Sequence, residues 1–255
     1  IYEDRIKEIR LGMDYQDILY NVANYNTSYN FNRISPYLDL SKNINRIGRM
    51  GLSYQFEFLL PSLVHLNPFY IINQFNSFTL GDYNISPEQR HSVSLNLRKS
   101  NSFKDLFHTL SISYSIIHNP IISGYVLKGH SFVQEFYNSD RLKSDLTLHF
   151  IHNKTINRLK IYNHIFGIYS GYYQRIQLSE TQFNQYSLLH KLQLTGVMDD
   201  AELEINLSNS IRNVPASNQI SNWIYQPEIQ VDLKYYLGKK WSFTLNGFFN
   251  TLRSD

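Results

Sequence analysis

Met50-Gly51-Leu52-Ser53-Tyr54-Gln55-Phe56-Glu57-Phe58 alternates strictly: every second residue is apolar, and Gly51, Ser53, Gln55 and Glu57 fill the gaps. Successive side chains of a strand point to opposite faces, so this run has one apolar and one polar face. The same period recurs along the chain. Val93, Leu95 and Leu97 alternate with Ser94, Asn96 and Arg98; Leu110, Ile112, Tyr114 and Ile116 with Ser111, Ser113 and Ser115; Leu146, Leu148 and Phe150 with Asp145, Thr147 and His149. Further on, Leu203, Ile205 and Leu207 alternate with Glu202, Glu204 and Asn206, and Ile229, Val231 and Leu233 with Gln230, Asp232 and Lys234. Trp241, Phe243 and Leu245 do so with Ser242, Thr244 and Asn246.

The pattern predicts an all-β chain of about eleven strands, at 5–17, 30–42, 46–58, 89–99, 106–117, 136–152, 156–172, 183–197, 201–212, 223–237 and 241–252. Many exceed the roughly five or six residues of strands in soluble proteins and suit the nine to eleven or so that a tilted membrane-spanning strand needs. Tight polar links at 43–45, 100–104, 153–155, 198–200 and 238–240 alternate with longer ones at 59–88, 119–134, 173–182 and 213–222. Short turns on one rim and long loops on the other are the arrangement of outer-membrane barrels, whose short turns are periplasmic. Tyr235, Tyr236 and Trp241 near one rim, and Tyr172 and Tyr173 near the other, suit aromatic girdles at the two headgroup levels. The expected fold is a transmembrane antiparallel up-and-down β-barrel; a soluble sandwich with a tyrosine-rich core is the alternative.

Composition agrees. With 42% hydrophobic and 18% charged residues the chain is neither disordered nor highly charged, and its 20 Tyr and 16 Phe favour strands over helices. The absence of cysteine excludes disulfides and thiolate-bound metal. A net charge of +3 without a concentrated basic stripe argues against nucleic acid as a partner. No run of about eighteen apolar residues is present, and Pro61 and His65 interrupt the most apolar stretch, 58–66. The chain opens at Ile1 without a signal peptide, so the start of the polypeptide is expected to lie upstream.

Residues 59–97, LLPSLVHLNPFYIINQFNSFTLGDYNISPEQRHSVSLNL, resemble a hallmark of TonB-dependent receptor barrels, especially the outer membrane β-barrel family typical of Bacteroidetes. The matching residues are Pro61, Ser62, Leu66, Asn67, Pro68 and Phe69, then Gly81, Asp82, Asn84, Ile85, Pro87, Glu88, His91 and Ser92. Leu60, Asp82-Tyr83 and Ser86 depart from the family pattern, and residues 34–41 resemble the strand that precedes this region. The sharp similarity covers about a quarter of the chain; elsewhere only the strand rhythm is shared. The resemblance implies a barrel of about 22 strands, with an N-terminal plug, a coupling box and import driven by the TonB-ExbB-ExbD system. A surface lipoprotein is a further partner of such receptors. On this reading residues 1–255 are part of one barrel domain in the bacterial outer membrane, embedded in its lipid, without the plug or the final strand. An odd count of strands points the same way, since single-chain bacterial barrels have even numbers and lipid tolerates no unpaired edge.

Catalytic or metal chemistry has weaker support. His149 and His152 are the closest histidine pair, but a separation of three on a strand puts them on opposite faces. His65, His91, His118 and His130 fall on or near the long loops, where a transient metal or haem contact is conceivable. Asp199, Asp200, Glu202 and Glu204 read as a solvated rim and bore rather than a catalytic carboxylate pair, and Asn153-Lys154-Thr155 as a chance sequon in a short turn. No nucleophile elbow, phosphate loop or zincin motif occurs, so neither an enzyme nor a cofactor is expected. The long loop 59–88 is the expected ligand contact: Tyr70, Phe75, Phe78 and Tyr83 interleave with Asn67, Asn73, Gln74 and Asn76. Aromatic faces beside amides suit siderophores, glycans or peptides; the same loop could instead pack down to seal the mouth. The competing functional readings are a barrel of another class (porin, secretion or anchoring platform) and a secreted β-rich binding protein.

Overall fold

The computed structural model describes residues 6–22, 27–44, 48–101, 105–176, 179–215, 221–237, 241–251 and 253–254. Eleven strands form one antiparallel path, and their order is the order of the chain. They are β1 (Ile6–Val22), β2 (Thr27–Ile44), β3 (Gly48–Leu59), β6 (Glu88–Asn101), β7 (Leu106–His118), β10 (Lys143–Ile156), β11 (Leu159–Ile176), β12 (Ser179–Val197), β13 (Ala201–Pro215), β14 (Ser221–Leu237) and β15 (Trp241–Asn250). A two-residue strand, β16 (Arg253–Ser254), pairs with β14. The sheet is open: among the described residues no pairing joins β1 to β15.

The remaining elements lie in two of the loops. Between β3 and β6 come the short helix α1 (Leu63–Leu66) and strands β4 (Ile71–Gln74) and β5 (Ser77–Leu80); between β7 and β10 come β8 (Ile121–Lys128) and β9 (Ser131–Asn138). Among the described residues no helix is long and apolar enough to cross a membrane.

Register converts the sequence alternation into two surfaces. Following hydrogen-bonded partners across the sheet, Ile9, Leu40, Leu52, Leu95, Ile112, Leu148, Gly167, Leu188, Ile211 and Tyr225 form a single row over ten strands. One residue along, on the opposite face, run Arg10, Asp39, Ser53, Ser94, Ser113, Thr147, Ile168, Ser187 and Arg212. Within the polar face Ser53 and Ser94 share a hydrogen bond of 2.6 Å, and Arg90 pairs with Glu57 at 3.0 Å. The apolar face is not a core. Leu11 keeps 76% of its surface, and Leu52, Tyr114, Leu188, Val231 and Leu245 are all exposed. A two-layer sandwich would bury these rows against a second sheet; among the described residues no second sheet covers them.

The strands also slant as barrel strands do. In the row Asn43, Arg49, Arg98, Thr109, Ile151, His164, Lys191, Ser208, Glu228, the first residue stands one position from its strand's turn end and the last stands nine. That is a drift of eight residues over eight strand steps. With a rise of about 3.4 Å and a strand spacing of about 4.8 Å, one residue per step gives a slant of about 35°, the inclination of strands in closed barrels.

Four details differ from the sequence reading. Predicted strand 136–152 is two strands, β9 and β10, because Asn138 and Ser139 turn their side chains to other segments. The turn expected at 153–155 lies at Asn157-Arg158, with Asn157 in the left-handed region (φ 54) that asparagine tolerates. The Asn-Lys-Thr sequon therefore sits in β10, not in a turn. Third, the described residues of the links 173–182 and 213–222 are strand, and β11 and β12 run for 18 and 19 residues. Fourth, the links 59–88 and 119–134 carry strands and a helix of their own.

Candidate functional site

The two structured loops build a cap at the loop end of the sheet. β4 pairs antiparallel with β5, β5 parallel with β9, β9 antiparallel with β8, and β8 parallel with the end of β11 through Arg175–Gly124 and Ile176–Tyr125. Apart from Phe183 on β12, the buried hydrophobic residues among those described gather here: Leu66 and Ile85 from the first loop, Ile122 and Val133 from the second, and Ile117 at the end of β7, 1% exposed. Ile117 belongs to the polar face of the sheet. Glu88, on the same face, accepts the Ile121 N–H at 2.6 Å. The cap therefore joins the sheet at Ile117 and Glu88 on the polar face and at Arg175 and Glu180 at the β11–β12 end.

Asn67, Gly81 and Asp82 fold the first loop. Asn67 accepts the Gly81 N–H through its carbonyl at 2.7 Å and the Phe69 N–H through its side chain at 3.1 Å. Asp82 donates its N–H to the His65 carbonyl at 2.8 Å and accepts the Asn84 N–H at 2.8 Å, an Asx turn. At Gly81 a Cβ would lie 2.4 Å from the His65 carbonyl oxygen and 2.7 Å from that of Asn67. Pro87 is buried and its carbonyl accepts from Asn119, while Pro68 and Phe69 are exposed. Asn138 staples the loops together: its oxygen accepts the Ser86 N–H at 2.8 Å, and its amide donates to the carbonyls of Ser86 and Asn119 at 3.0 Å each.

The residues expected to contact ligand divide. Tyr70 is exposed and meets half-buried Phe78 edge-on, centroids 5.9 Å apart. Phe75 stands at the β4–β5 hairpin tip, 92% exposed. Tyr83 is exposed in the Asp82–Asn84 turn. Asn73 is engaged with the Thr79 hydroxyl at 2.7 Å, and Gln74 is exposed on β4 opposite Ser77.

Sequence reasoning missed the second loop's share. Parallel pairing sets Phe132 beside Ser77, and Phe132 donates its N–H to the Asn76 carbonyl at 2.8 Å, next to Phe75. Leu127 is the cross-strand partner of Phe132, and both are exposed. The Lys128 ammonium lies 5.9 Å over the Tyr70 ring and 2.7 Å from Glu135, whose carboxylate raises its pKa. Tyr70, Phe75, Leu127, Lys128 and Phe132 thus form an open apolar surface with one cation. A readable signal existed: Gly129 between two apolar-rich runs marks a hairpin.

Other titratable groups of the cap are structural. Burial and the Glu180 carboxylate push the Tyr137 pKa up to about 12, against the Arg175 guanidinium 5.1 Å above its ring. His65 accepts the Ser62 N–H on Nδ1 at 3.3 Å and packs against Phe136, centroids 4.6 Å apart. Burial depresses its pKa, outweighing the raising effect of Glu88. A depressed histidine contributes stability that is complete above its ordinary value near 6.5 and declines as pH falls toward the lowered value. Cap protection from protease is therefore expected to be constant above neutrality and to weaken on mild acidification, and His65→Gln should flatten that response. An unchanged pH profile in the variant would show that another group governs it.

Of the other histidines, His149 faces His164 on the polar side and His152 stacks on His108 on the apolar side. His91 and His118 meet edge-on, and His130 is exposed at the β8–β9 turn. Among the described residues no three of His, Asp or Glu gather as metal ligands. Asp199 bridges Arg158 at 2.8 Å between neighbouring turns; Asp200 is exposed, and Glu202 and Glu204 lie on the polar face. On that face Arg10, Arg49 and Arg98, with Glu8 and Asp39, line an open depression of about 340 Å³.

No family model matches the chain, and no curated protein matches it. A solved structure does. The siderophore receptor PirA from Pseudomonas aeruginosa superposes with a TM-score of 0.52 over 86% of this chain, at 12% identity. The chain has the fold of part of such a receptor. It spans 42% of that receptor's length.

Proposed function

We propose that this chain forms part of the barrel domain of a TonB-dependent outer-membrane receptor, of the Bacteroidetes type whose loop motif it resembles. The receptor imports a siderophore, glycan or peptide and performs no bond chemistry. The observation that carries the reading is the set of apolar rows that, among the described residues, no second layer covers, set against a polar face on the other side of the same sheet. Lipid would cover the first surface, and the second would be the wet bore. Ligand would be met first by Tyr70, Phe75 and Phe132, whose rings offer stacking area beside the Lys128 cation. Energy for release into the periplasm would come from the TonB-ExbB-ExbD system.

Binding of ferric siderophores, oligosaccharides and peptides to the full-length protein tests the reading. One class is expected to bind, and Tyr70→Ala with Phe75→Ala to weaken it by roughly tenfold or more, the loss of one to two stacking contacts. If all three classes fail to bind while the protein conducts small solutes freely through planar bilayers, a porin is the better description.

A further inference from the structure

The apolar face of the sheet is interrupted along one oblique line. Among the residues of that face, Asn163 stands between Ile161 and Ile165 on β11, His190 between Leu188 and Leu192 on β12, and Asn209 between Leu207 and Ile211 on β13. Hydrogen bonds join these interruptions from strand to strand. His190 Nε2 and Asn163 Oδ1 are 3.0 Å apart, His190 is the cross-strand partner of Asn209, and the Tyr225 hydroxyl on β14 donates to Asn209 Oδ1 at 3.3 Å. Toward the tight-turn rim the line continues through His152, the cross-strand partner of Asn163, whose Nδ1 lies 2.7 Å from that of His108. A polar seam thus crosses six strands, β7 and β10 to β14.

Asn163, His190 and Asn209 are four, seven and eight residues from the turn ends of their strands. At about 3.4 Å per residue and a slant of about 35°, they stand about 11 to 22 Å above the turn rim, within a membrane-spanning band about 25 Å tall. Amides and imidazoles are unfavourable in hydrocarbon unless their donors and acceptors are matched. The bonds along the seam use the oxygen of each asparagine and one nitrogen of each histidine. Acyl chains offer the carboxamide nitrogens and the second imidazole nitrogens no partner. A second copy of the chain offers one. Carboxamide and neutral imidazole each both donate and accept, so the seam is complementary to itself. Two barrels side by side in one membrane are related by a two-fold axis along the membrane normal. Such an axis reverses the slant of the seam, so the two seams cross at one level, with Asn163 of one copy against His190 of the other. Loopward of that crossing the same face has an open apolar depression of about 350 Å³, floored by Gly167 and bordered by Leu148, Leu188, Ile211 and Trp223, which can receive apolar side chains of the neighbouring copy. Resting on the membrane reading given above, we infer that the apolar face of β10 to β13 is the contact between two copies of this chain within the membrane, fastened where the seams cross at Asn163 and His190.

The test is thiol cross-linking of the full-length protein, freed of any cysteine outside this cysteine-less chain, in outer membranes. Two differently tagged copies, one with Asn163→Cys and one with His190→Cys, are expected to be joined by a short bismaleimide. Leu95→Cys with Leu245→Cys, on the same face but other strands, should not be. In sedimentation of the purified protein, Asn163→Leu with His190→Leu is expected to weaken the dimer by roughly tenfold or more. Gln193→Leu with Asn206→Leu, a cross-strand amide pair on the polar face, should leave it unchanged. Heat-modifiable mobility shows that each variant is folded. Equal cross-linking at both pairs of positions, or a dimer indifferent to the leucine pair at 163 and 190, would overturn the inference. A cross-link to a different protein in place of the dimer would overturn the assignment to a second copy. A wild type that inserts into bilayers, shows heat-modifiable mobility and sediments as a monomer would overturn this inference alone. Failure to insert into bilayers would remove the membrane reading, and this inference with it.

Discussion

Arginine at Ile112 is expected to cost about 2–4 kcal/mol of folding stability in a bilayer, and arginine at the very next residue, Ser113, close to nothing. The two positions differ only in face. Ile112 lies between Leu95 and Leu148 in the apolar row, six residues from the turn end of β7, near the middle of the proposed lipid-covered band. Ser113 lies between Ser94 and Thr147 on the polar face, where water solvates a guanidinium and Arg90 and Arg98 already stand. A charge in hydrocarbon has no such partner, so its cost is the free energy of stripping or dragging water. Urea titration of the protein folded into phosphatidylcholine vesicles measures both variants. A soluble protein would give a different answer: both positions would be water-exposed, and both substitutions nearly neutral. Equal and small effects would therefore withdraw the membrane assignment, while a large penalty at Ser113 and none at Ile112 would mean that the sheet is inside out.

The barrel strands were legible because their information is local. Each has one apolar and one polar face, and period-two alternation records that arrangement residue by residue, as in residues 50–58. All eleven strands of the main path overlap strands read from the pattern. What alternation cannot record is where a strand stops rising above the sheet. β11 and β12 continue pairing through Tyr172–Phe183 to Ile176–Ser179, although their composition there looks like loop. Polar residues pair as readily as apolar ones once a neighbouring strand supplies the ladder. The cap was the least legible part, because its defining contacts are non-local. Nothing near Phe132 in the chain says that it will lie beside Ser77, and nothing near Asn138 says that its amide will join Ser86 to Asn119. Of the surface proposed to meet ligand, the sequence reading therefore named the aromatic residues on the first loop and left out Leu127, Lys128 and Phe132 on the second.

Gly81→Ala is expected to destabilise the cap by about 3 kcal/mol or more while leaving the barrel strands paired. The reason is backbone geometry rather than flexibility. Gly81 and Asp82 run against the C-terminal end of α1, where Gly81 donates to the Asn67 carbonyl and Asp82 to the His65 carbonyl. A methyl group at position 81 would come within 2.4, 2.6 and 2.7 Å of the carbonyl oxygens of His65, Val64 and Asn67. All three are main-chain atoms, so no side-chain rotamer relieves the overlap; α1 and the strand end must separate, and the two hydrogen bonds must go with them. That separation would uncover Leu66, which is 2% exposed, and Ile85, which is 4% exposed, and loosen the β4–β5 hairpin that carries Phe75. Hydrogen exchange should register faster amide exchange across residues 62–85 and no change in β10 to β13, and ligand capture should fall with it. Gly167→Ala is the matched comparison: its Cβ would sit 3.6 Å from Leu188, an ordinary contact on the outward face, and the variant should behave as wild type. A Gly81→Ala protein with wild-type exchange in the cap would show that Gly81 does not hold the loop in the way these contacts require, and would separate the fate of the cap from that of the sheet beneath it.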